Sequence, residues 1–313
     1  MDHLLTIGAA ALKKAALNED AKAFLLQNEV VFNLLKKAAD RYIGGETLEE
    51  TIVKVKQQNQ QGFKCSIEFM GESTRNESES NAATAEFIRI CEKIQQQQLS
   101  ATVSLDLSHI GLAVAETLCR ENLAAICTAA AKGGIEVIVS AEGTERTDAI
   151  INTYKTAAQT YDNLAITLQA YLYRTKDDFK DLIQLPNRIR IVKGAFETPA
   201  GCSMPRGAEL DDTYMYYIDQ LLQQRHKCAI ATHHDKIQER AKTLIQQYQP
   251  DKDSYEFESL YGIRTEQLVQ LKADGYSTKL YFVYGKEWYL YLCNRIAEYP
   301  LNIFQALQDI VEA

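Results

Sequence analysis

Residues 101–141 read ATVSLDLSHIGLAVAETLCRENLAAICTAAAKGGIEVIVSA. Ala101–Leu107 is a short apolar run rich in strand-forming residues, and Ile135–Ala141 is a second one. Between them, residues 111–132 place apolar side chains at helical spacing. A strand, a helix and a strand in this order are what a parallel pair requires, because the chain must cross back over the sheet. Working outward, the unit recurs. Further strand-like runs lie at Phe63–Phe69, Leu164–Ala170, Arg188–Lys193, Lys227–Thr232, Ser254–Glu258 and Thr278–Val283, with helical stretches such as DDTYMYYIDQLLQQRH (211–226) between them. Eight such runs predict an α/β chain folded as a (β/α)8 TIM-type barrel. A doubly wound open sheet would alternate in the same way, but it more often carries a glycine-rich fingerprint, and GxGxxG is absent here.

Upstream of residue 62 the rhythm is helical, over residues 11–27, 30–43 and 47–61. Thr47 followed three residues later by Glu50 has the form of a capping box. The expected division is a helical segment at 1–61 packed on a single catalytic barrel domain at 62–313. Residues 71–82 (GESTRNESESNA) read as a solvated loop leading into a helix, and the glutamines at 95–98 read as a helix end.

The whole chain of 313 residues is 46% hydrophobic and 24% charged, which excludes disorder and collagen-like repeats. A net charge of −8 argues against nucleic acid, whose phosphates call for a basic face. No apolar run reaches the roughly 18 residues of a membrane span. The first twenty residues lack the order of a signal peptide. Seven cysteines, odd in number and without a CxxC, suggest reduced and buried thiols. The expected location is the cytoplasm, with peripheral attachment to a membrane compatible with it.

Polar residues end nearly every run: Glu68, Asp106, Ser140 with Glu142, Gln169, Lys193, Thr232 with His233, Glu256 with Glu258, and Tyr284. In such a barrel that end carries the active site. His233-His234-Asp235 with His109 would make a poor metal site, since adjacent residues leave a strand end in different directions. Glu142 and Glu256 are candidates for a glycoside-cleaving pair, whose separation the sequence leaves open. Nucleophilic serine catalysis lacks a GxSxG elbow. An anionic cofactor is the third possibility: Arg190 and Lys193 could meet it, and Gly194-Ala195 would let the backbone approach. Strand alternation puts Arg190 and Lys193 on opposite faces, so a bend is needed for both to reach one ligand.

Several motifs then occur in a telling order: LQAYLYRT (168–175), RIVKGAF (190–196), CAIATHH (228–234), YEFESLYGIR (255–264) and KLYFVYGKEWYLYLCNRIAEYPLN (279–302). With GGETLEETI (44–52) and IEFMGES (67–73), they make residues 40–305 resemble the proline dehydrogenase family, in its single-function bacterial form. The resemblance implies a barrel with extra N-terminal helices, a final helix capping the mouth, and FAD across that mouth. It implies that Gln169, Arg190, Lys193, Ala195, Thr232 and His233 hold the flavin. Arg190 would be the donor near N5, where a hydride from the substrate's C–H beside nitrogen arrives. For Glu256 and Arg264 it implies a structural or flavin-side role.

The substrate side departs from the family pattern. The family's last helix reads YxxRRxxE, and here Tyr291, Asn294, Arg295 and Glu298 occupy those places, so the first arginine is lost. A family lysine aligns with Asp106 and a family aspartate with Ser140. Tyr281 and Tyr291 match substrate-packing tyrosines, and Phe196 replaces a common tyrosine. The expected substrate is L-proline or a related amine or amino acid, carrier-linked prolyl groups included, with poor binding of a free carboxylate. An alternative keeps Arg295 in partnership with Asp106. The electron acceptor would be a quinone or oxygen. The rival reading is an inactive flavin-binding or interaction homologue.

Overall fold

The computed structural model describes residues 18–71, 73–298 and 301–311, together with positions 7, 8, 11 and 14. Eight strands form a closed, all-parallel barrel in chain order: β1 (Lys64–Phe69), β2 (Ala101–Leu105), β3 (Val137–Val139), β4 (Leu164–Gln169), β5 (Ile189–Val192), β6 (Cys228–Ala231), β7 (Tyr255–Leu260) and β8 (Thr278–Tyr284). Closure comes from β8 pairing with β1, Tyr281 opposite Ser66 and Tyr284 opposite Phe69. Every expected strand is present. Two differ in length in ways that matter. β2 stops at Leu105, which leaves Asp106 just outside the sheet, and β7 continues to Leu260, where pairing with Tyr281 sustains it.

Before the barrel come α1 (Glu19–Gln27), α2 (Glu29–Asp40) and α3 (Leu48–Gln60). The first was expected to begin near residue 11, a stretch that lies largely outside the described residues. The capping box that starts α3 is formed: the Glu50 amide donates to Thr47 Oγ1, and the Glu50 carboxylate accepts from the Thr47 amide. Helices α4 to α10 fill the seven crossovers, at Glu77–Gln96, Glu116–Ala131, Thr147–Ala157, Thr175–Leu182, Ala208–Gln223, Asp235–Tyr248 and Thr265–Ala273. α4 begins inside the segment expected to be loop, because Asn76 Oδ1 accepts from the Glu79 amide at 2.9 Å and caps it. Its end at Gln96 falls within the glutamine tract, as expected.

Strand alternation sorts the side chains. Ile67, Val103, Val137, Ile166, Ile191, Ile230 and Leu280 join the apolar layer under the helices, all buried. The intervening positions face the barrel interior, and many are polar: Ser66 and Ser104 meet there at 2.8 Å. α11 (Trp288–Glu298) and α12 (Asn302–Val311) follow β8. A second apolar cluster, with Tyr42, Ile43, Val283, Trp288, Leu292, Ile296 and Ala306, ties them to α2. Trp288 Nε1 adds a 2.7 Å bond to Glu46, and Arg41 pairs with Asp309. Six cysteines are buried, Cys202 alone is exposed contrary to expectation, and none is paired.

Candidate active site

Arg190 lies on β5 in register with Thr167 of β4 and Ala229 of β6. The alanine leaves interior space that the guanidinium fills. Nε donates to Glu258 Oε1 at 2.6 Å, Nη2 meets the same oxygen, and the guanidinium lies 5.0 Å from the Tyr281 ring centre. Nη1 has no partner among the described residues. Beside it, Thr167 Oγ1 is buried without a hydrogen bond.

Below Arg190 the interior is charged. Lys279 Nζ, fully buried, sits 2.5 Å from Glu256 Oε1 and 3.4 Å from Glu258 Oε2. Arg188 Nε is 3.8 Å from Glu256 and 3.1 Å from Glu136. Unpaired, any of these charges would be prohibitively costly to bury, so they come as interleaved opposites. Burial would push the Glu256 carboxyl up, but Lys279 and Arg188 hold it down at about 2. Burial likewise works against the charge on Lys279, and Glu256 and Glu258 more than offset it, raising its pKa.

This overturns one expectation. Glu256 is the second residue of β7, not its end, and its carboxylate is committed to Lys279 inside the barrel. It is not available to pair with Glu142 in glycoside cleavage. Glu142 itself is buried, its Oε1 accepting from the Ser108 amide at 3.1 Å, and burial raises its pKa against the opposing effects of Ser108 and Arg146. Lys279 was missed by sequence reasoning. The available signal was its place two residues before Tyr281 on the inward face.

At the rim, β5 ends at Val192 and Lys193 turns away from Arg190, pairing with Asp211 and, at 3.0 Å, His234 Nδ1. The bend needed to bring both cations to one point is absent from these contacts. Gly194 follows at φ +107°, where a Cβ would come within 2.2 Å of the Tyr171 ring, so glycine is required. Ala195 beside it is exposed. Gln169, buried, donates to the Glu142 carbonyl at 3.1 Å. Thr232 Oγ1 accepts from the His234 amide at 3.1 Å. His233 Nε2 accepts from the Leu260 amide at 3.0 Å, which puts the ring proton on Nδ1. Burial first, then Arg295, Arg264 and Arg190, lower its pKa to about 4, so it stays neutral. The two neighbouring histidines therefore serve different partners, and among the described residues no His, Cys, Asp and Glu group could hold a metal.

On the opposite side, Ser140 Oγ donates to Glu68 Oε2 at 3.3 Å, and Asp106 is half-buried just past β2. Tyr291, Asn294 and Arg295 stand on one side of α11, with the Arg295 guanidinium 4.9 Å from the Tyr291 ring centre. α11 packs against the end of β8, where Leu292, Cys293 and Ile296 share an apolar cluster with Tyr281 and Val283. Glu298 closes α11, and its side chain lies outside the described residues. A cavity of about 1010 Å³ lies elsewhere, between α3, α4 and the loop after β1 near His109 and Tyr284, and it touches none of the residues expected to hold flavin or substrate. The mouth is the better candidate, because the unspent donors Arg190 Nη1 and Thr167 Oγ1 are there. That donor set suits a planar ligand rich in acceptors, as a flavin ring is.

Residues 51–299 match the family described as proline dehydrogenase. The chain is 33% identical over 275 residues to proline dehydrogenase 2 of Bacillus subtilis, covering 88% of this chain and 91% of that one. It is 31% identical over 294 residues to proline dehydrogenase 1 of the same organism, with 92% and 97% covered. Among solved structures, proline utilization A from Bdellovibrio bacteriovorus, inactivated by N-propargylglycine, superposes with a TM-score of 0.79 at 18% identity. That match takes in 89% of this chain but only 33% of the larger protein, and it speaks for the barrel fold. The chain belongs to the proline dehydrogenase family of flavin-dependent oxidoreductases.

Proposed function

We propose that this chain binds FAD at the barrel mouth and oxidises the C–N bond of L-proline or a related cyclic or secondary amine. The observation that carries the proposal is Arg190, clamped by Glu258, covered by Tyr281 and left with one uncommitted edge. Bound there, a flavin supplies the two-electron acceptor that amino-acid side chains lack. Arg190 and Thr167 would meet its acceptor atoms. Gln169, Lys193, Ala195, Thr232 and His233 would border it, His233 as a neutral group. Tyr281, Tyr291 and Arg295 would enclose the substrate, with Asp106, Ser140 and Asn294 beside its carboxylate end. Electrons would then leave to an external acceptor, a quinone or oxygen. Among the described residues no helix is long and apolar enough to cross a membrane.

The test is anaerobic bleaching of the flavin by a panel of L-proline, proline amide, proline esters and simple cyclic amines. Bleaching by any of them supports the proposal, whereas a flavin-loaded protein that none reduces is an inactive homologue. Within the panel, uncharged proline derivatives are expected to reduce the flavin at lower concentration than L-proline. Asp106 disfavours a carboxylate, and Asn294 cannot supply the charged contact, worth about 1.5–3 kcal/mol, that an arginine would. The double substitution Asp106→Lys with Asn294→Arg should lower the KM for L-proline by about tenfold or more. A parent enzyme that already prefers free L-proline would show that Arg295 and backbone donors suffice.

A further inference from the structure

Arg190 does not stand in the barrel as a bare cation. Both Nε and Nη2 converge on one oxygen of Glu258, a carboxylate only 1% exposed. The rest of the charged interior explains why this carboxylate is available. Lys279 lies between two glutamates but stands closer to Glu256, at 2.5 Å, than to Glu258, at 3.4 Å. Arg188 is shared by Glu256 and Glu136 and does not reach Glu258. The charge of Glu258 is therefore directed mainly to Arg190. Two contacts from one side also fix the guanidinium plane and leave Nη1 as the nitrogen turned away from Glu258.

We infer that Glu258 is a positioning residue that sets the reduction potential of the flavin through Arg190. This rests on the reading of the mouth as the flavin site. A flavin that has taken up two electrons and one proton carries a negative charge, and a nearby cation favours that state. In a dry interior such effects are large. With Glu258 in place the field of Arg190 is partly cancelled, so the bound flavin is held at a lower potential than an unbalanced arginine would give it. Keeping the reduced cofactor energetic favours passing its electrons on to an acceptor.

The test is the midpoint potential of the FAD-loaded protein, measured by dye-coupled titration in the parent and in Glu258→Gln and Glu258→Asp. Glutamine keeps the shape and one acceptor oxygen but removes the charge. Its potential should rise by an amount equivalent to at least a tenfold shift toward reduced flavin, about 30 mV for a two-electron couple. Aspartate restores the charge and should bring the potential back toward the parent value. If Glu258→Gln does not fold, Glu258→Gln with Lys279→Met removes one buried charge of each sign. Its potential should still be raised, because Arg190 has again lost its partner. A parent-like potential in either folded glutamine variant overturns the inference and leaves Glu258 structural. A protein that binds no flavin overturns instead the reading of the site.

Discussion

Arg190→Ala is expected to slow reduction of the flavin by substrate by about 10²–10³-fold, with a much smaller effect on substrate affinity. A preorganised donor aimed at developing negative charge acts mainly in the transition state, and losing one costs about 2.7–4 kcal/mol. On the proposed reading Nη1 would be that donor, with the guanidinium held by Glu258 and Tyr281. Arg190→Lys should recover only part of the rate, because an ammonium cannot reproduce a fork that binds Glu258 twice and still presents a third nitrogen. Single-turnover anaerobic mixing separates rate from affinity. Reduction at the parent rate in Arg190→Ala would make this residue purely structural.

The second large effect concerns stability. Lys279→Met should destabilise the barrel by about 3–5 kcal/mol, the usual result of removing one partner from a buried ion pair. Glu256 would lose the cation 2.5 Å away, and Glu258 would keep only Arg190. The deficit should depend on pH in a defined direction. In the parent, Glu256 is held near 2 against an ordinary value of 4.5, so its ionised form contributes stability above about 4.5 that is lost as pH falls toward 2. The variant lacks most of that contribution. The gap between the urea midpoints of parent and variant should therefore narrow below pH 4.5. A gap that is small at pH 7, or that widens in acid, would show that the interior charges are not coupled as their distances indicate.

The barrel was legible because each strand is a short apolar run bounded by a helical pattern, and closure depends on that repeat rather than on any one residue. Arg190, His233 and Tyr281 stand out in the sequence through their motifs, and the structure brings Arg190 against the Tyr281 ring and within electrostatic reach of His233. Depth was not. Glu256 and Glu258 share a strand face, and only pairing with β8 extends β7 to Leu260 and leaves Glu256 below the mouth. Lys279 was hidden for a related reason: one lysine in TKLYFVY reads as a rim residue until the carboxylates of β7 are seen to face it. Alternation placed Lys193 and Arg190 apart, yet its partners Asp211 and His234 come from α8 and the loop after β6, which strand pattern alone does not bring together.

The most direct measurement of the central claim, a flavin held at this mouth, is to denature the purified protein and identify what it releases. A yellow protein that sheds intact FAD, noncovalently bound, is the expected result. A colourless protein that takes up no added FAD would contradict the account.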